Sequence, residues 1–458
     1  MAPYRPDPKV LALGPDFFDP VEPAPFPECK ARFVNHRWAE RVGLDLDEEL
    51  WAAHFCRFAP LADNLEQPLA LRYHGHQFRV YNPEIGDGRG FLFAQLRDDR
   101  DRLLDLGTKG SGQTPYSRHA DGRLTLKGGV REVLATEMLE ALGVNTSKSF
   151  ALFETGEQLD RGDEPSPTRS SVLTRLSHGH IRIGTFQRLA FFGDIANINR
   201  LTRYCLQNLY SEPPVSDDAE NALQLFELVS SATAALAAAY MAAGFVHGVL
   251  NSDNISVTGE SFDYGPWRFT PEWDPEFTAA YFDHYGLYAF GRQPEAIHWD
   301  LAQLAGCLSL VAEAPRLSDL LGVWPDRFEQ ALVAAMLRRL GVAPADNDRE
   351  VAAALINALA TRAQAIDRIF FDWRGGVDPG AQAYPRDEFR KLAALLQGRE
   401  APRSHPYWSD PAPCSMPIDE VETIWSAIAE RDDWRPFEEK VTAVRRMGAA
   451  IEQDAPAS

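Results

Sequence analysis

The chain has 458 residues, 45% hydrophobic and 24% charged, the composition of an ordinary globular protein of two or three lobes, not of a disordered one. Forty-six Lys and Arg stand against 66 Asp and Glu, a net charge of −20, which argues against nucleic acid as the main partner because a phosphate backbone needs a basic face. A local basic pocket for a small anion remains open. The five cysteines (Cys29, Cys56, Cys205, Cys307, Cys414) are widely spaced and form no CxxC pair. They fit neither a disulfide framework nor a cysteine–zinc site, and point to a reducing compartment, the cytoplasm. Met1 to Leu13 lacks the apolar core of a signal peptide. Leu228 to Ser252 carries no charge but is rich in alanine, so a buried helix is favoured over a membrane span.

Residues 1 to about 66, rich in proline and aromatics, read as an irregular arm wrapped on the body. From Leu71 to about Leu106 the pattern is strands and turns, with a glycine turn at Ile85-Gly86-Asp87-Gly88-Arg89-Gly90 and a strand over Phe91–Leu96. A loop follows at Gly107–Gly112. Val130, Val133, Leu134, Met138 and Leu142 then fall at helical spacing, with Gly143 as the stop. A strand pair is expected around Lys148–Phe153 and Ser171–Leu176, joined by a surface loop over 155–169. Beyond Pro213 helices are expected at 220–243, 297–313, 327–340, 348–370 and 418–447, interrupted by short strands and loops over Leu250–Thr270. A strand-rich first half and a helical second half suggest two lobes around a cleft.

Gly86, Gly88 and Gly90 would let backbone approach a phosphate closely, although taken alone an ordinary hairpin turn is the plainer explanation and the dinucleotide fingerprint is not met. Lys109 follows a strand and Glu132 lies on the next helix, the arrangement of a phosphate-holding lysine clamped by a glutamate; taken singly, each also reads as a surface residue. In His247-Gly248-Val249-Leu250-Asn251-Ser252-Asp253-Asn254, followed by Asp263-Tyr264-Gly265, an Asp, an Asn and a second Asp supply oxygen donors suited to Mg²⁺ or Mn²⁺ on a nucleotide's phosphates. Against the kinase pattern H-R-D-x-x-x-x-N then D-F-G, Asn254 matches the asparagine and Val249 falls where the catalytic aspartate belongs. A valine cannot deprotonate a hydroxyl, so the scaffold of a kinase is present without its ordinary chemistry. Arg175 and Arg182 suit a phosphate clamp, with surface ion pairing as the alternative. The pairs His74/His76 and His178/His180 raise a zinc site, for which turn chemistry is the plainer explanation.

The run Lys109-Gly110-Ser111-Gly112-Gln113-Thr114-Pro115-Tyr116-Ser117-Arg118, followed by Ala120-Asp121-Gly122-Arg123, closely resembles the selenoprotein O / YdiU family. So do His76-Gln77-Phe78, Gly86-Asp87-Gly88-Arg89, His180-Ile181-Arg182 with Gly184-Thr185-Phe186, His247 through Asn254, and Asp263-Tyr264-Gly265-Pro266. The resemblance covers at least residues 16–310 and continues more loosely through Trp299-Asp300-Leu301 and Pro436-Phe437-Glu438. It implies an α+β, protein-kinase-like two-lobed fold: an N-terminal arm over 1–66, a strand-containing N-lobe over 67–212 and a mainly helical C-lobe over 213–458. It implies an enzyme long classed as a pseudokinase that transfers AMP from ATP, or UMP from UTP, to Ser, Thr or Tyr hydroxyls of proteins, with Mg²⁺ or Mn²⁺ and a nucleotide flipped relative to kinases. No nucleic acid or membrane partner is implied. Carried onto this chain, Gly86, Gly88, Arg89, Lys109, Asp121, Gly122, Arg175 and Arg182 would contact the nucleotide. Asn254 and Asp263 would hold the metal, Asp253 would accept the proton, and Glu132 would pair with Lys109. The chain departs from the family in lacking a cysteine near its C-terminus, in a short 374–417 stretch, and in His74 and Gly179, where small residues are expected.

Overall fold

The computed structural model describes residues 2–162 and 164–455 and is α+β. Short apolar runs separated by turns form β1 (Phe18–Pro20), β2 (Lys30–Val34), β3 (Leu69–Leu71), a separate hairpin of β4 (Gly75–Gln77) and β5 (Val80–Asn82), then β6 (Leu92–Arg97), β7 (Leu103–Lys109), β8 (Leu124–Thr125), β9 (Lys148–Leu159) and β10 (Thr168–Ser177). One antiparallel sheet of eight strands runs β1-β3-β6-β7-β10-β9-β2, with β8 on β10. Two helices, α1 (His36–Val42) and α2 (Glu48–Phe55), cover one face through Trp51, Phe55, Phe93 and Phe150. The other face packs on α3 (Leu126–Ala141), where Val130, Val133 and Leu134 meet Leu152 and Leu173. The Thr125 hydroxyl caps α3 by accepting from the Gly128 N–H at 3.1 Å.

Helices α4 (Ile183–Phe191), α5 (Ile195–Tyr204) and α6 (Asp218–Ala243) lead into a two-stranded ribbon of β11 (Phe245–Val246) and β12 (Arg268–Phe269). The rest is helical: α7 (Gln293–Leu308), α8 (Ala314–Gly322), α9 (Trp324–Leu340), α10 (Asp348–Ala360), α11 (Ile366–Asp372), α12 (Asp387–Leu396), α13 (Ile418–Arg431) and α14 (Arg435–Gln453). Among the described residues α6 alone is long and apolar enough to cross a membrane, and 67% of its most apolar window lies buried inside the fold. It is the central core helix, packing against α7 and α9. The last helix returns to the sheet: Arg445 on α14 holds Glu137 on α3 through two hydrogen bonds of 2.7 Å.

Several expectations need correction. The first 66 residues are not an irregular arm in structure, since they contribute both edge strands of the sheet and its two covering helices. Composition hid this because proline is tolerated at sheet edges. Residues 155–169 are not all loop: β9 runs on to Leu159 and β10 begins at Thr168, the Thr155 and Ser170 hydroxyls bonding across the ribbon. Helix 348–370 is two helices broken where Arg362 takes φ +52°, and helix 418–447 is broken where Asp432 takes φ +49°.

The cysteine reading is also overturned. Cys29 and Cys56 form a disulfide, which joins the segment before β2 to the end of α2. The partners lie 27 residues apart and are brought together only when both segments fold on the sheet. Their spacing therefore carried no signal, and the cysteines no longer argue for a reducing compartment. Replacing both cysteines by serine is expected to lower stability by about 3 kcal/mol, as chain-entropy reasoning gives for a loop of this size. Thermal melts with and without reductant check it, and an unchanged midpoint would mean that packing alone holds the segment.

Candidate active site

Strand β7 is buried along its whole length and ends at Lys109. Its neighbour β10 places Arg175 opposite Gly107 and Leu173 opposite Lys109, so Lys109 and Arg175 lie on one face of the sheet. Lys109 Nζ bonds Glu132 on α3 and sits 2.7 Å from Asp263 Oδ1. Arg175 Nη1 reaches the same Asp263 oxygen at 3.3 Å. Burial alone would raise the Asp263 carboxyl, but Lys109, Arg175 and Arg89 outweigh it and hold the group well below its ordinary value. Asp263 is therefore ionised.

Arg182, at the start of α4, is 4% exposed. Its guanidinium donates to the Asp253 carbonyl at 3.0 Å, pairs with Asp87 at 3.3 Å and lies 4.2 Å from the Tyr73 ring centre. A guanidinium fixed this way against an aromatic face keeps its charge aimed without rotamer freedom.

The opposite wall is the loop between β11 and β12. The ribbon closes its base, and the loop is stitched to the sheet side by the Ile183 N–H to the Ile255 carbonyl, the Val257 N–H to Ile181, and the Ser147 N–H to Ser261. His247 is buried and held below its ordinary pKa by burial. Its neutral ring spans the loop, with Nε2 3.0 Å from the Phe262 carbonyl. Asp253 and Asn254 sit in a single 3₁₀ turn, and Asp263 takes φ +63°, an uncommon backbone for a non-glycine residue.

Asp253 is 8% exposed, and its Oδ1 is buried without a hydrogen-bond partner. Burial pushes its pKa up to about 6 despite Arg182, with Asp263 adding to the rise. A carboxylate tuned toward neutrality inside a cleft has the properties of a general base.

The rim comes from the glycine turn and the 114–123 segment. A Cβ on Gly86 would lie 2.5 Å from the Tyr116 ring, so glycine is needed here for the turn to close on Tyr116. At Gly122, φ is +69°. Asp121 bonds Arg161 at 2.8 and 3.1 Å. The resulting cleft is about 670 Å³, enough for a nucleotide. It gathers Gly86, Gly88, Arg89, Lys109, Asp121, Gly122, Arg175, Arg182, Asp253, Asn254 and Asp263, with Glu132 behind Lys109. Val249 also faces it. Sequence reasoning missed Tyr73, Asp87, Tyr116, Arg118 and Arg161 as lining residues. Asp87, Tyr116 and Arg118 stand inside the motifs it quoted and could have been found there; Arg161 lies in a polar loop with no local signal.

Among the described residues no three His, Cys, Asp or Glu side chains group closely enough to hold a metal by themselves. The residues nevertheless fit a hard cation that also binds ligand oxygens. Asp263 is ionised, and the Asn254 amide donates its N–H to the Val249 carbonyl at 3.0 Å, leaving its oxygen as the end for a cation. Three of the four histidines in those pairs have other partners: His74 Nδ1 meets the Tyr81 hydroxyl at 2.8 Å, His76 Nδ1 meets Gln187 at 2.7 Å, and His180 Nδ1 meets Asp105 at 3.2 Å.

Three buried cations, an ionised aspartate and a glycine-lined rim give this cleft the chemistry to take an anionic ligand such as a phosphate. The sequence pattern described as protein adenylyltransferase SelO matches residues 3–388, and the chain belongs to that family. It is similar to proteins named protein nucleotidyltransferase YdiU. The Synechocystis sp. relative is 41% identical over 461 residues, 95% of this chain and 96% of its own length. The Gloeobacter violaceus relative is 42% identical over 463 residues (96% and 95%), and a Rhodopseudomonas palustris relative is 32% identical over 479 (96% and 92%).

Proposed function

We propose that this protein transfers AMP from ATP to Ser, Thr or Tyr hydroxyls of other proteins and releases diphosphate, with UTP as a second donor. The family's description as a protein adenylyltransferase and the relatives' name support nucleotidyl transfer. The observation that carries the reading is Asp253, a buried carboxylate with an unpartnered oxygen, in a cleft lined by Val249, which in the sequence pattern stands where a kinase has its base.

In this reading Lys109, Arg175 and Arg182 bind the β- and γ-phosphates, and Glu132 holds Lys109 in place. Arg89, Asp121 and the backbone at Gly86, Gly88 and Gly122 hold the rest of the nucleotide. Asp253 takes the proton from the acceptor hydroxyl as its oxygen attacks the α-phosphorus. The bond from the α-phosphorus to the bridging oxygen breaks, and diphosphate leaves toward the three cations, which stabilise its growing charge. Asn254 and Asp263 would hold Mg²⁺ or Mn²⁺, which when bound neutralises phosphate charge. The same residue order supports a protein-kinase-like arrangement, with residues 1–66 packed into the sheet of an N-lobe over 67–212 and a C-lobe over 213–458.

ATP labelled at the α- or γ-phosphate, given to the purified protein with Mg²⁺ or Mn²⁺ and a cell extract, tests the reading. Label on protein from the α position alone is expected. Label from γ alone would make the protein a kinase. Neither label, with nucleotide still bound, would make it a nucleotide-binding scaffold.

A further inference from the structure

Beyond the C-terminal end of α3 lies a second cavity of about 660 Å³, as large as the nucleotide cleft and sharing no residue with it. Its walls come from α1, the β6–β7 turn, the start of β9 and the ends of α3, α9 and α14. Seven of its lining side chains are Arg or Lys against four Glu, in a chain whose overall charge is −20.

Four of these cations are already matched. Arg37 bonds Glu140 at 2.8 Å, Arg41 bonds Asp99 at 2.9 Å, Arg102 bonds Asp98 at 2.7 Å, and Arg445 holds Glu137. Two have no carboxylate partner, Arg100 and Arg338, both exposed, and the third, Lys148, lies inside and is paired only loosely with Glu140. The Lys148 side chain is 13% exposed, and its nearest carboxylate oxygen, on Glu140, is 3.6 Å away. That oxygen already accepts the Trp38 indole N–H at 2.9 Å. The Lys148 ammonium instead sits 5.2 Å from the Trp38 ring centre, a ring that Arg41 approaches to 4.2 Å. Burying an ammonium is costly, and burial holds the Lys148 pKa below its ordinary value although Glu140 and Glu260 both favour its charge.

We propose that this cavity is a second anion site, taking a diphosphate group, free or at the end of a nucleotide, between Lys148, Arg100 and Arg338. Diphosphate carries about three negative charges near neutral pH, enough to face the two unpaired guanidiniums and the loosely paired Lys148, and its oxygens suit the guanidinium fork. A single carboxylate or monophosphate would leave part of the cluster unpaired. The site is independent of the nucleotidyl-transfer reading, because its occupation is read as binding.

Calorimetric titration of the full chain with inorganic diphosphate, and in a separate arm with ADP, both in metal-free buffer, is expected to give two sites per chain. Arg100→Ala combined with Arg338→Ala, both at exposed positions, is expected to weaken one site at least about tenfold and leave the other unchanged. Lys148→Met is expected to weaken the same site, and Arg89→Ala, in the cleft, the other one. Tighter ADP than diphosphate at the second site would identify a nucleotide as the ligand, and the reverse would identify free diphosphate. A single site that responds to Arg89→Ala alone would overturn the proposal, as would two sites that the paired arginine substitution leaves unmoved.

Discussion

Asp263→Ala is expected to lower nucleotidyl transfer by roughly 10³-fold or more, because one carboxylate serves three purposes. It is the ionised oxygen ligand available to a metal, and it is the shared partner of Lys109 at 2.7 Å and Arg175 at 3.3 Å. Without it those two cations repel each other across the position of the leaving phosphates. Asp263→Asn separates the effects, since it keeps the shape and loses only the charge. A comparable loss in the asparagine variant, with nucleotide-free melting near that of the parent, assigns the effect to the carboxylate. Folded protein that keeps α-label transfer within tenfold of the parent would remove Asp263 from the metal site.

Asp253→Asn is expected to show the opposite signs in activity and stability. Transfer should fall by about 10²- to 10⁴-fold, the usual contribution of a positioned base. Stability of the metal- and nucleotide-free protein should rise at pH 7.5. The folded pKa of about 6 lies above the ordinary 3.8, so the fold favours the neutral carboxyl. That preference is fully present below pH 3.8 and is lost as pH climbs through 6, leaving a charged, buried oxygen without a partner at pH 7.5. About two pH units correspond to roughly 3 kcal/mol, of which an asparagine should recover 1–3 kcal/mol. Urea denaturation at pH 4 and 7.5 checks it: a gain at pH 7.5 only is expected, and a net loss there would mean the carboxylate makes stabilising bonds in the resting protein.

These predictions rest on residues that local sequence already singled out, and for a physical reason. Ligand-holding loops are short, so Ser252–Asn254 and Asp263 stand within one stretch between two strands, and the glycine turn and the 109–123 run are each contiguous. Helix α3 and its stop at Gly143 were legible because an amphipathic face and a positive-φ glycine are local signals. The break at Asp432 was not, since a left-handed aspartate leaves no mark on hydrophobic periodicity.

The sequence by itself determined the family, the α+β class and many of the residues that face the cleft, because chemistry-bearing side chains and backbone turns are encoded over a few positions. The tertiary structure alone decided their further contacts. Lys109 meets Asp263 as well as its expected partner Glu132, Arg161 faces Asp121, the edge strands β1 and β2 come from the proline-rich start, and Cys29 finds Cys56. It also decided that one oxygen of Asp253 is buried unpaired and that Lys148 approaches Glu140 only to 3.6 Å. Each of these depends on which distant surfaces exclude water together. Burial and the charges it leaves facing one another are properties of the packed chain and of no segment within it.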